Sequence, residues 1–172
     1  HTITPISLLD GDGNLETGVV KTCSVVSSAS HLMGPCWDQV NEHYLFHGTS
    51  PAGAIGIVRE GFDLSRAGSV TGAMFGPGAY FAECASKADE YAVEDELSGF
   101  CALLVCRVAC GQLHRTTRAL DKALVENSEF KAKHHGVLGD REAKVGTYRE
   151  FVVFEQEQVY PEYIVIYERR FS

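Results

Sequence analysis

The stretch that most limits what this chain can fold into is Phe100-Cys-Ala-Leu-Leu-Val-Cys-Arg-Val108, a nearly continuous apolar run with β-branched and aromatic members. Side chains of an extended chain alternate between two faces, so a run apolar at both parities must be covered on both. It predicts a central strand. A second run, Tyr44-Leu-Phe-His-Gly-Thr49, predicts another buried strand, one that ends on an imidazole and a glycine. Gly48 has no Cβ, so its N–H and C=O can approach a ligand closely. His47 adds a group that hydrogen-bonds at neutral pH. An isolated His-Gly pair is otherwise an ordinary strand end and turn.

A helix start follows at once. Thr49 or Ser50 can cap it, Pro51 suits its first turn, and Gly61 stops it after Arg59-Glu60. Ile55, Val58 and Phe62 recur at helical spacing and are expected to pack on the sheet. Residues 63–78, rich in Gly, Ser and Thr, predict a long loop, and loops of that length inside a domain are usually functional. A short strand is expected at 79–82 and a helix at about 86–94. Residues 121–146 predict a helical turn near 120–125 and a loop through His134-His-Gly-Val-Leu-Gly139. Strands at 149–155 and 162–169 close the chain, separated by residues 156–161. Upstream, residues 1–34 read as a lead-in with one strand near 18–24, and 35–42 as a short helix with Trp37 anchored in the core. The sum is an α+β domain with mixed or antiparallel sheets. A length of 172 residues suits a single domain over the whole chain.

The net charge of −8 repels phosphate backbones, so nucleic acid is not expected as a partner of this segment. Arg115, Arg118, Lys122, Lys131 and Lys133 form a local basic set that reads as a solvated face, though it keeps a nucleic-acid acceptor open. No stretch of 18 apolar residues is present, and no membrane association is expected. The six cysteines show neither C-x-x-C nor zinc-ligand spacing, so no metal site is expected. They predict reduced thiols in a cytoplasmic or nuclear protein. The chain begins at His1, as expected of a piece of something longer.

Beside His47-Gly48, three features admit a chemical reading next to a bland one. Val70-Thr-Gly-Ala-Met-Phe-Gly-Pro-Gly-Ala-Tyr-Phe-Ala82 combines glycines that permit close ligand approach with Tyr80 at a strand start, or is simply a turn before a strand. In Ala85-Ser-Lys-Ala-Asp-Glu-Tyr91, Lys87 and Tyr91 lie four apart on one helix face, where an aromatic either stacks on a flat heterocycle or packs on the core. Glu150 begins the apolar strand Glu-Phe-Val-Val-Phe154. It is either a solvated strand-end charge or a carboxylate turned into a cleft to stabilise developing positive charge.

In this order, with Gln158-Val-Tyr-Pro-Glu-Tyr163 near the end, these features resemble the catalytic domain of the poly(ADP-ribose) polymerase family of diphtheria-toxin-like ADP-ribosyltransferases. The likeness runs from about Asn41 to Tyr167. It implies an ADP-ribosyltransferase fold of two packed, mostly antiparallel sheets with a few flanking helices. It implies NAD as co-substrate, protein acceptors that include the protein itself, and binding of nicotinamide-mimic inhibitors. His47 would hydrogen-bond a ribose 2′-hydroxyl of NAD, with Thr49 as a further contact. Gly48 would pair its N–H and C=O with the nicotinamide carboxamide. Tyr91 would stack on the nicotinamide ring with Tyr80 on the other side. Glu150 would bond the nicotinamide ribose and complete a catalytic His47, Tyr80 and Glu150 set. Lys87 matches a lysine close to that glutamate in polymerising members. Residues 65–78 would cover the donor, and about 127–146 would shape the acceptor side.

The residue types suit that chemistry. Separating nicotinamide from ribose builds oxocarbenium-like charge, which a buried anion such as Glu150 stabilises, and Glu150 can also serve as base toward an acceptor hydroxyl. A backbone pair at Gly48 fixes the leaving amide in one geometry. Ala88 stands where many relatives carry a serine that bonds the nicotinamide amide, and Ala73 replaces a common aromatic. No helical regulatory subdomain fits before Trp37. Single transfer and polymer elongation both stay open, because Glu150 favours chains while a short acceptor loop favours single transfer. A non-catalytic NAD- or partner-binding module on the same fold is the alternative of a different class.

Overall fold

The computed structural model describes residues 8–9, 15–16, 20–64 and 73–170. The strands are β1 (Leu8–Leu9), β2 (Leu15–Glu16), β3 (Glu42–Thr49), β4 (Ala79–Ala82), β5 (Cys101–Ala109), β6 (Leu113–Thr116), β7 (Gly136–Asp140), β8 (Arg149–Val153) and β9 (Val159–Tyr167). The helices are α1 (Thr22–Ser28), α2 (Pro51–Glu60), α3 (Ala85–Asp89), α4 (Lys122–Val125), α5 (Ser128–Lys133) and α6 (Arg141–Val145). Among the described residues no helix is long and apolar enough to cross a membrane.

Strands β3 to β9 form one sheet in the order β6-β7-β8-β4-β3-β5-β9, and β1 pairs with β2 separately. The β6–β7 pair is parallel and the other neighbours in the large sheet are antiparallel, giving a mixed α+β domain. The expected pair of sheets takes the form of two halves of this one sheet. β9-β5-β3 and β4-β8-β7-β6 meet at the register pair Phe46–Ala82, whereas β3 stays with β5 as far as Thr49–Ala102. Residues 47–49 therefore have no paired strand on their β4 side among the described residues. That open seam positions the candidate site.

β5 runs between β3 and β9 and is buried on both faces over its first six residues, as its unbroken apolar run requires. Leu45, Leu104, Cys106 and Val108 from one half share a core with Phe81, Phe151 and Val153 from the other. Each fully buried side chain of this size contributes about 1.5–3 kcal/mol relative to exposure.

Several expectations are corrected. α2 starts and stops as predicted: Ser50 Oγ accepts from Gly53 N–H at 3.0 Å, and Gly61 at φ 85° ends it. Yet Ile55 and Val58 are about half exposed, while Ala54 is buried and Ile57 packs on the core with Phe62. The cap and the short connection from β3 fix the phase of the helix. Small Ala54, rather than the bulky stripe, then faces the sheet. Trp37 is 63% exposed and is no core anchor. Its backbone does the work instead, with its N–H donating to Glu42 Oε2 and its C=O accepting from Val40 and Glu42. The strand expected near 18–24 is the helix α1 from Thr22 on, with residues 18–19 outside the described residues. Packing of α1 against β3 overrides the β-preference of Val25 and Val26.

From Gly136 on, the loop expected at 134–139 is instead the wholly buried strand β7, while His134 and His135 stay outside it. The glycines that suggested a loop serve close packing. A Cβ at Gly136 would lie 2.4 Å from the Val152 carbonyl oxygen, and one at Gly139 would lie 2.1 Å from the Phe75 ring. α5, β7 and α6 accordingly occupy most of 127–146. Asn127 Oδ1 caps α5 through Glu129 N–H at 2.8 Å, and Asp140 Oδ1 caps α6 through Ala143 N–H at 3.0 Å. Arg115 leaves the supposed solvated face. It is buried and forks onto Asp140 Oδ2 at 2.9 and 2.7 Å. β9 begins at Val159, earlier than expected. A register shift opposite Val105–Cys106 accommodates Pro161 on this edge strand.

Candidate active site

α3 and the turn that follows it lie against β3 because Gly48 carries no side chain. A Cβ there would stand 1.8 Å from the Ala88 carbonyl oxygen. The helix is shorter than expected, ending at Asp89, and Tyr91 sits in the turn with its N–H bonded to that same carbonyl at 3.0 Å. Lys87 and Tyr91 still meet as neighbours, with Nζ 5.0 Å from the ring centroid. From the far side, Arg169 Nε donates to both oxygens of Asp89 at 3.0 and 3.1 Å, and Tyr167 also bonds that carboxylate. The end of β9 thus clamps α3 against the sheet.

Glu150 reaches this group from β8 and is buried, only 5% exposed. Tyr91 donates its hydroxyl to Glu150 Oε1 at 3.0 Å, and Lys87 Nζ stands 3.9 Å from the same oxygen. Lys87 also donates to Glu90 Oε2 at 2.7 Å. Burial pulls the Lys87 ammonium down, but the carboxylates of Glu90 and Glu150 outweigh it and hold it above its usual range. Burial, then the charge of Glu150, raises the Tyr91 phenol. The arrangement is a buried carboxylate flanked by a phenol and a protonated lysine.

Glu150 opposes Ala82 and Val152 opposes Tyr80 across β4 and β8, so Tyr80 and Glu150 project from one face of the sheet. The Tyr80 hydroxyl is already committed. It accepts from Phe75 N–H at 3.0 Å and donates to the Gly76 carbonyl at 2.7 Å, pinning the described end of the Gly-rich segment. Burial pushes its phenol above the usual range. Residues 65–72, most of the loop expected over the donor, lie outside the described residues. His47 meets this group only through backbone. Its Nδ1–H donates to the Tyr80 carbonyl at 2.9 Å, which leaves Nε2 as the acceptor nitrogen. The ring packs against Phe62 and Phe81, with centroids 5.0 and 5.6 Å away, on the main-core face. Thr49 ends β3, its carbonyl accepting from Val93 N–H at 3.3 Å. The structure therefore gathers Lys87, Tyr91 and Glu150 by side-chain contact and places Gly48 beneath them, with His47 and Tyr80 joined through a main-chain bond.

Sequence reasoning missed the brace under this site. Arg149, the neighbour of Glu150, forks onto Glu83 with Nε–Oε1 at 2.6 Å and Nη2–Oε2 at 2.7 Å, and both residues are buried. The pair ties the start of β8 to the end of β4. The available signal was Arg149 itself, since a cation entering a buried strand needs a partner.

Burial holds the imidazoles of His47, His43, His114 and His134 below the usual 6.5. The unfolded chain binds these protons more readily, so the contribution is present above that value and lost as pH falls below it. Thermal unfolding is expected to show Tm constant above about pH 7 and falling between about pH 6.5 and 5. A Tm independent of pH across that window would mean that the rings titrate as freely as in the unfolded chain.

The sequence matches the poly(ADP-ribose) polymerase catalytic domain over residues 24–169. It is similar to the mouse (Mus musculus) protein mono-ADP-ribosyltransferase PARP12, at 30% identity over 75% of this chain and 17% of that protein. Mouse protein mono-ADP-ribosyltransferase PARP11 is 31% identical over 74% of this chain and 42% of its own length. Poly [ADP-ribose] polymerase 1 of Arabidopsis thaliana is 28% identical over 69% of this chain and 14% of its own length. The chain thus spans less than half the length of each of these relatives.

Proposed function

Because the chain belongs to the poly(ADP-ribose) polymerase catalytic-domain family, we propose that it transfers ADP-ribose from NAD to a protein acceptor and releases nicotinamide. The observation that carries the reading is the buried Glu150 carboxylate, held between the Tyr91 hydroxyl and the Lys87 ammonium beside Gly48. Leaving-group departure builds positive charge at the sugar, and a fixed anion in a poorly hydrated site stabilises it without reorganising. The same carboxylate can take the proton of an acceptor hydroxyl.

Gly48 suits the leaving amide on this reading. It lies where β3 has lost its strand partner toward β4, so a planar amide can approach the backbone along that open edge, while the space a Cβ would take is filled by the Ala88 carbonyl. Tyr91 is 45% exposed with its hydroxyl anchored to Glu150, leaving part of its ring available for stacking. His47 would act through Nε2 on a ribose hydroxyl. His47→Ala is expected to raise the KM for NAD about tenfold, the worth of one hydrogen bond to a buried partner, with a smaller change in kcat. An unchanged KM would remove the ribose-anchoring role.

Chain elongation is the second reading, favoured by one contact, the 3.9 Å approach of Lys87 to Glu150. A cation there steadies a carboxylate that must accept protons from sugar hydroxyls. Incubation with labelled NAD, a denaturing gel and a nicotinamide-release assay test both readings. A discrete labelled band with nicotinamide release supports single transfer, and a high-mass smear supports elongation. NAD binding with neither label nor nicotinamide would overturn catalysis and leave a binding module.

A further inference from the structure

A cleft of about 360 Å³ lies between α1, the segment around Met33–Asp38 and the first half of β3, and none of the residues gathered around Glu150 lines it. In it, Cys23 Sγ stands 3.6 Å from His43 Nδ1. His43 Nε2 lies 2.7 Å from Asn41 Oδ1, and Asn41 Nδ2 donates to the Gly111 carbonyl at 2.9 Å. From that carbonyl inward, each bond fixes the next. The carbonyl holds the Asn41 amide with its oxygen toward His43. An amide oxygen only accepts, so His43 carries its proton on Nε2. Nδ1 is then an unprotonated lone pair facing the Cys23 thiol. Asn41 is buried, which keeps the amide in place.

Thr22 lines the same cleft, and its hydroxyl is buried with no hydrogen-bond partner among the described residues. The oxygen is shut off from the cleft by its neighbours, so Thr22 contributes only its remaining atoms to the lining. Val26, Met33, Pro35 and Tyr44 give the cleft an apolar wall.

We propose that Cys23, with His43 as general base and Asn41 as positioning residue, forms a reactive site that captures α,β-unsaturated carbonyl compounds by conjugate addition. Cys23 gives its thiol proton to His43 Nδ1 as sulfur attacks the β-carbon. The alkene π electrons move onto the α-carbon and carbonyl oxygen as an enolate, and His43 returns the proton to the α-carbon. A C–S and a C–H bond form while the S–H bond and the C=C π bond break. Nothing is oxidised and nothing leaves. Acyl transfer would need a leaving group and a fixed pair of oxyanion donors, whereas addition needs only the nucleophile, the base and the returned proton.

The base is required because the thiolate is not preformed. Burial, then the carboxylates of Asp38 and Glu83, raises the Cys23 thiol above its usual range. Burial lowers His43, against Asp38, Glu83 and Glu42, which raise it, while Arg149 adds to the lowering. Both partners are neutral at pH 7, the state from which a general base acts.

The test is reaction of the folded protein with acrylamide, followed by peptide mass spectrometry of all six cysteines over time. Cys23 is expected to react faster than Cys36 and Cys84, the other incompletely buried thiols. Its rate is expected to be flat between about pH 7 and pH 9, where a base-assisted neutral pair no longer titrates, rather than rising about tenfold per pH unit as free thiolate chemistry does. His43→Gln is expected to slow Cys23 at least ~100-fold with Cys36 and Cys84 unchanged. Cys23 reacting no faster than the other two, a rate that climbs steadily with pH, or an unaffected His43→Gln would each overturn the proposal. The pH profile of the unsubstituted protein decides the matter if the variant does not fold.

Discussion

Glu150→Gln is expected to lower nicotinamide release from NAD by about 10²–10³-fold and to abolish elongation, while the affinity for NAD changes little. The substitution keeps the size of the side chain and removes only its charge. Tyr91 can still donate to the remaining oxygen, and Lys87 keeps Glu90 at 2.7 Å. What is lost is the fixed anion that stabilises positive charge at the sugar as nicotinamide departs, a contribution made in the transition state and not in the bound substrate. The split between kcat and KM is therefore the informative quantity. Calorimetric titration of NAD beside the release assay measures it. Binding and turnover falling together would mean that Glu150 holds the pocket in shape.

Gly48→Ala is expected to damage stability and activity at once. The new methyl would stand 1.8 Å from the Ala88 carbonyl oxygen, 2.8 Å from its carbon and 3.0 Å from Ala92 N. These are backbone atoms, so no side-chain rotation relieves the clash, and either α3 or the end of β3 must move. Asp89 resists that movement through its bonds to Arg169 and Tyr167. Overpacking of this kind costs about 1–3 kcal/mol, read as a fall in Tm. The displaced element carries Lys87 and leads into Tyr91, and a shift of about 1 Å at a catalytic centre lowers turnover ~100-fold. Far-UV circular dichroism separates a folded, displaced site from an unfolded chain. A variant with wild-type Tm and turnover would show that the β3–α3 approach is looser than drawn and that Gly48 is not needed for packing.

Much of the candidate site was legible in the sequence because it rests on local pattern. His47-Gly48 ends an apolar run, Tyr80 opens a strand after a Gly-rich segment, and Glu150 stands at the start of an apolar strand. Residue type and spacing marked these positions as candidates, and the family resemblance gave them their roles. Their companions were not legible in the same way. Arg149 meets Glu83 across 66 residues of chain, and Asp89 meets Arg169 across 80. Nothing in either neighbourhood names the partner, since a lone charge has the same local signature whether it finds solvent or a counter-ion. Cys23 fell in a stretch that reads as a plain lead-in, and only the packing of α1 on β3 brings it to His43 and Asn41.

Glycine is the sharpest instance of the divide. At Gly61 the sequence reading holds, because a positive φ ends a helix wherever that helix sits. At Gly136 and Gly139 it fails, because what glycine provides there is room for Val152 and Phe75. The α+β class, the central strand at Phe100–Val108 and the cap-to-stop limits of α2 followed from hydrophobic period and local backbone preference, which act over a few residues. The join of two half-sheets at Phe46–Ala82, the burial of β7, and the seating of Lys87 and Tyr91 on Glu150 depend on which distant surfaces exclude water together. That is a property of the whole packed chain, and it was decided only in the tertiary structure.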